Sequence, residues 1–103
     1  MILQEMAVSI NRAENRFELE MEGKLSFITY FPKDDQTLVL TRTKLHPNLV
    51  HNGVDSLLFS GMLEYIEKHR LTIIPLCTLL AAYLKQHTEY LHLLNPEYRI
   101  KMK

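Results

Sequence analysis

Glycine is scarce in this chain, three residues in 103, and the four prolines are scattered. No linker, low-complexity tract or internal repeat is found, so a single compact domain over residues 1–103 is expected. Cysteine is nearly absent. Cys77 stands alone, which excludes an internal disulfide and suits a reducing compartment. Charge of one sign is also missing: Lys+Arg and Asp+Glu each number 12. Phosphate-backbone binding relies on clustered positive charge, so no nucleic-acid partner is expected. No apolar stretch approaches the roughly 20 residues that cross a bilayer. The opening MILQEMAVSI lacks a basic segment followed by a long apolar run, so neither a signal peptide nor a membrane partner is expected, and cytoplasmic is the default location. Metal chemistry lacks its donors too, because the histidines have no cysteine or carboxylate partners at ligand spacing. A Ser-His-Asp nucleophile set is likewise absent.

What is present is ordered. Apolar residues form 47% of the chain, enough for a modest core without staples. Met6–Ile10 predicts a short strand, followed by a polar turn. Phe17, Leu19 and Met21 alternate with Glu18, Glu20 and Glu22, the period-two signature of a half-buried strand. After Gly23, Leu25, Phe27 and the run ITYF predict its hairpin partner. PKDDQ is a turn by composition. TLVLTRTKL reads as a longer strand, apolar on both sides at its start and hence central. From Val54 the period changes: Val54, Leu58, Met62 and Ile66 make a stripe at helical spacing. LTIIPLC predicts a short strand, and a second helix runs from Thr78 to about His87. The order β-β-β-β-α-β-α predicts an antiparallel meander followed by a parallel β-α-β pair. The class is therefore α/β or α+β with a mixed sheet.

One junction carries the functional question. In TRTKLHPNLVHNGVDSLL a strand ends, a loop follows, and a single glycine opens a helix. Helix N-termini present unpaired N–H groups and a positive dipole end, which attract phosphate. Gly53 lets the backbone approach an anion closely. Asp55 and Ser56 also read simply as helix caps, and a carboxylate at Asp55 would repel a nearby diphosphate.

The ordered set Phe17-Glu18-Leu19, Ile28-Thr29-Tyr30, Leu40-Thr41-Arg42-Thr43, the Gly53 turn, Pro75-Leu76-Cys77 and Tyr83-x-x-x-His87-x-x-Tyr90 resembles the small GNAT-type N-acetyltransferases. The resemblance spans about residues 12–94, leaving 95–103 as an extension that reads either as an added strand or as a loose basic tail. It implies a GNAT-like acyl-CoA acyltransferase fold in which acetyl-CoA lies in a V-shaped splay between Thr37–Leu45 and Thr72–Cys77. It also implies cofactor contact at Thr43 and Leu45 on the strand, and at Val50, His51, Asn52, Gly53, Val54 and Ser56 around the turn. The family's glycine-rich turn is only partly kept, since His51 stands where a glycine is expected and Asn48 replaces a long polar residue. Lys44 stands where similar chains carry an acidic residue.

Amide formation from an acetyl thioester needs a neutral amine, a stabilised oxyanion and a protonated leaving thiolate. The oxyanion donor is expected in a backbone N–H near Leu45. Among side chains the resemblance points to Cys77 and Tyr83 as catalytic. Cys77 ends the second parallel strand ahead of a helix, a setting that favours thiolates in general, although free cysteines usually pack as small hydrophobes. Tyr83 lies where such enzymes place a tyrosine that protonates the thiolate, although tyrosines at such positions more often pack. His46 and His51 lie nearer the proposed gap than His87 and His92. The expected function is therefore acetyl transfer from acetyl-CoA to an unidentified primary amine, in a small molecule or a protein. A weakened CoA-binding protein of the same fold and a cofactor-free interaction module are the alternatives. Neither monomer nor dimer follows from the sequence.

Overall fold

A computed structural model of the protein describes residues 8–101. Five strands lie side by side in sequence order: β1 (Ser9–Asn11), β2 (Arg16–Met21), β3 (Lys24–Pro32), β4 (Thr37–Lys44) and β5 (Thr72–Pro75). The first four are antiparallel and β4–β5 is parallel. The crossover between β4 and β5 is helix α1 (Val54–Lys68), and α2 (Thr78–Gln86) follows β5. The mixed sheet and order of elements agree with the sequence reading. Of the strand expected over Met6–Ile10, Ser9 and Ile10 fall in β1, while Met6 and Ala7 lie outside the described residues.

Local chemistry explains the connections. The β2–β3 hairpin closes through Glu22 and Gly23, both left-handed at φ 56 and 74. Two consecutive positive φ values are what a tight two-residue hairpin of primed type requires. On the β3–β4 side, Lys33 N donates to Thr37 O at 2.9 Å, and the Asp34 carboxylate accepts from Gln36 N at 2.9 Å.

Alternation then sorts the sheet into two faces. Phe17, Leu19, Ile28 and Leu40 are fully buried on one of them, against Leu58, Met62 and Ile66 of α1. The other face carries Arg16, Glu18, Phe27 and Phe31, the last still 61% exposed.

Residues 94–101, the described part of the segment past Leu93, form neither a full strand nor a loose tail. Leu94 bridges Ile73 of β5, Asn95 N donates to Ile73 O at 2.9 Å, and helix α3 (Pro96–Lys101) begins. The Asn95 carboxamide oxygen caps α3 by accepting from Glu97 N at 3.0 Å, with proline at the first helical position where no donor is lost.

Gly61, in the middle of α1, is a close-approach position. A Cβ there would lie 2.4 Å from Val8 Cγ2 and 2.9 Å from Val8 Cβ. Gly61→Ala gains about 1 kcal/mol of helix propensity, but overpacking of this kind costs about 1–3 kcal/mol. The expected outcome is a net loss in denaturant unfolding that disappears in the Gly61→Ala/Val8→Ala pair. An equal loss in both backgrounds would mean that Val8 is not the obstacle.

Candidate active site

The two parallel strands share only a short register, Thr37↔Thr72 to Leu40↔Pro75. Proline cannot donate to a ladder, and pairing stops with it. Leu40 O then accepts from both Leu76 N (2.9 Å) and Cys77 N (3.1 Å), which turns the chain away from β4. β4 continues alone to Lys44, paired only with β3. The result is a fork whose β4 edge has no strand beside it.

A bulge sets which side chains face the fork. Tyr30 pairs with Leu40 and Thr29 with Arg42, so Thr41 is an extra residue. Its hydroxyl is held 2.7 Å from that of Thr29. The inward parity therefore passes from Leu38 and Leu40 to Thr43. Thr43 Oγ1 lies 2.9 Å from Cys77 Sγ, and either atom is able to donate. That contact spans the fork, and Cys77 is 7% exposed there. Cys77 is also the residue preceding α2, but its side chain makes no cap bond.

The loop between β4 and α1 is a 3₁₀ turn, Pro47–Asn52, started by His46, whose Nδ1 accepts from Asn48 N at 3.2 Å. Such a turn engages its own amides in i→i+3 pairing. The donors of this junction therefore narrow to the start of α1. Gly53 serves both elements in the left-handed conformation at φ 73, with open space around its missing Cβ. No side chain caps α1 there, but the Asp55 carboxylate accepts from Ser56 N at 2.8 Å. The Val54 side chain is fully buried, so any ligand meets it through its backbone, and Leu45 is partly buried against the core. The side chains of Val50, His51 and Asn52 lie outside the described residues.

Asp55 and Ser56 of α1 face Leu79, Ala82 and Tyr83 of α2, and His87 just after it, across a groove of about 220 Å³. The Tyr83 ring stands edge-on to Phe59, with centroids 5.3 Å apart, and is stacked on His87 at 4.0 Å. Partial burial pushes the Tyr83 phenol above its ordinary 10.0, helped by negative charge at Tyr90, Glu89 and Asp55. It stays protonated at neutral pH. His87 Nδ1 lies 3.8 Å from the Glu89 carboxylate.

The fold thus joins Thr43 to Cys77, and Tyr83 to the start of α1. No hydrogen bond links Cys77 to Tyr83 among the described residues. The role of His87 as a stacking partner was not anticipated, yet the Tyr83/His87 spacing of four residues is the helical signal for it.

The family model described as GCN5-related N-acetyl-transferase matches residues 16–93, which covers β2 to the segment after α2. The chain belongs to the GCN5-related N-acetyltransferase family. A GCN5-like protein of Staphylococcus aureus, solved by NMR in solution, superposes with a TM-score of 0.68. It is 22% identical, over 88% of this chain and 89% of that one, a likeness of fold. No match is found among curated proteins. Within this acetyltransferase no described helix is long and apolar enough to cross a membrane.

Proposed function

We propose that this acetyltransferase takes its acetyl group from acetyl-CoA and delivers it to a primary amine at the β4–β5 fork. The observation that carries this reading is the fork itself. Beyond Leu40 the β4 edge has no parallel partner, and a groove runs between α1 and α2, which together suit a long, thin arm lying between parted strands. When bound, acetyl-CoA supplies an activated thioester. The residues present fit such a group: Gly53 leaves open space at the start of α1, and the groove runs past Ser56 to Tyr83.

Transfer forms a nitrogen–carbon bond and breaks a carbon–sulfur bond, so one proton leaves nitrogen and one reaches sulfur. Tyr83 Oη is the proton source in this reading, because its phenol is held neutral. Thr43 fixes the Cys77 thiol across the fork. Backbone N–H groups of the free β4 edge, up to Leu45, are the candidates for holding the oxyanion. Gly53 with the amides of Val54 and Asp55 offers the positive end of α1 to the diphosphate, with Val50, His51 and Asn52 leading into it.

A weakened CoA-binding protein is the second reading, favoured by one observation. The Asp55 carboxylate covers the Ser56 amide, where a diphosphate would otherwise bond.

Thermal unfolding with added acetyl-CoA tests both. At a hundredfold excess over Kd the native state gains about 2.7 kcal/mol, whereas adenosine is expected to do much less. No shift at millimolar CoA overturns both readings. A shift without thiol release on any amine leaves the second.

A further inference from the structure

The two faces of the fork differ in charge. On the helical side lie Asp55 and Tyr83. On the opposite face of the sheet a hollow of about 440 Å³ is lined by Phe27, Thr29, Thr41, Arg42 and Lys44. Arg42 and Lys44 flank Thr43, the residue that touches Cys77 across the fork. Both are exposed, and neither makes an ion pair among the described residues. The carboxylate in the same row as Phe27 and Lys44 is Glu18, and it is already taken. Arg16 Nε donates to it at 2.6 Å and Asn11 Nδ2 at 2.9 Å, holding it below the ordinary carboxylate range. The hollow therefore presents two uncompensated cations on an apolar and hydroxyl-lined floor, at the one face of the fork that the helices leave open.

We propose that the acceptor carries an anionic group, a carboxylate or a phosphate, beside its primary amine, and that Arg42 and Lys44 select it. The inference rests on the acetyl-transfer reading and adds the substrate class to it. An acceptor with a second positive charge is repelled from this hollow, whereas one with a negative charge is held there by its anionic end, with its amine left toward the fork. The same two cations disfavour the protonated form of an amine held near them. That favours the nucleophilic form although no carboxylate borders the hollow.

Four primary amines of similar size separate the outcomes: 3-aminopropanoate, phosphoethanolamine, 3-aminopropanol and 1,3-diaminopropane. Thiol release from acetyl-CoA is expected to show a kcat/KM about tenfold higher for one or both anionic amines than for the alcohol, with the diamine slowest. A preference for only one of the two acids identifies carboxylate or phosphate as the group read. The Arg42→Gln/Lys44→Gln protein is expected to treat all four within about twofold. Equal or better rates with the alcohol or diamine overturn the proposal, as does a preference that survives in the double variant.

Binding of products gives a readout without turnover. N-acetyl-3-aminopropanoate should move the amide resonances of Thr41–Lys44, and N-acetyl-1,3-diaminopropane should not. Equal effects, or none, overturn the selection by charge. Failure of acetyl transfer itself is a separate result, read from the absence of thiol release with all four amines.

Discussion

Tyr83→Phe is expected to slow acetyl transfer by roughly 10²-fold, while the protein stays folded and still gains thermal stability from acetyl-CoA. The substitution removes one oxygen and leaves the ring. Its packing against Phe59 and its stack on His87 are ring contacts that phenylalanine keeps. The hydroxyl has no hydrogen-bond partner among the described residues, so no bond is orphaned.

The pH dependence has a definite sign. Burial first, then Tyr90, Glu89 and Asp55, raise the folded pKa above 10.0. A raised folded value means the proton is fully held below the unfolded value, and its stabilising effect is lost as pH rises through the folded one. The wild-type rate should therefore show no tyrosine-dependent decline until beyond pH 10, and alkaline unfolding should be milder in Tyr83→Phe. An unchanged kcat in the variant removes Tyr83 from the chemistry.

Phe17→Ala carries the largest expected cost to the fold, about 3–5 kcal/mol. Phe17 is fully buried, and its ring lies 5.4 Å from both Tyr30 on β3 and Tyr65 on α1. It joins the antiparallel half of the sheet to the crossover helix. Alanine leaves a cavity between two layers that cannot both close on it, and Tyr30 and Tyr65 lose their shared neighbour. Domains of this size are stable by about 5–15 kcal/mol, so the change removes a large share. Guanidinium unfolding should show a lower midpoint with little change in slope. A loss below about 1 kcal/mol would place the centre of the core elsewhere.

Much of this architecture is legible in the sequence because burial has a period. Phe17, Leu19 and Met21 announce β2, and Val54 through Ile66 announce α1, since each repeat matches one buried face. Pro75 is a local signal as well, since a residue without an N–H cannot carry a ladder further, and the pairing ends with it. Four features escape for physical reasons. The bulge at Thr41 changes side-chain parity within β4, and nothing in TLVLTRTKL marks where the extra residue sits. The 3₁₀ turn at Pro47–Asn52 is short and aperiodic, so it looks like loop. Asn95-Pro96-Glu97 is a helix-start signal that a basic composition hides. The Thr43–Cys77 contact joins residues 34 apart in sequence, a distance at which no local pattern speaks.

The clasp on β5 has a consequence for where the sheet comes apart. Asn95 N holds Ile73 O, its carboxamide reaches Thr37 Oγ1 at 3.3 Å, and Tyr98 Oη reaches Pro75 O at 3.4 Å. All three grip the paired stretch, below the point of divergence. A four-residue marginal strand would otherwise fray from its free tip downward, and the crotch of the V would wander. By pinning that stretch from outside, the polypeptide beyond Leu93 sets the depth of the opening. The point at which the two strands part is thus held by residues that belong to neither of them.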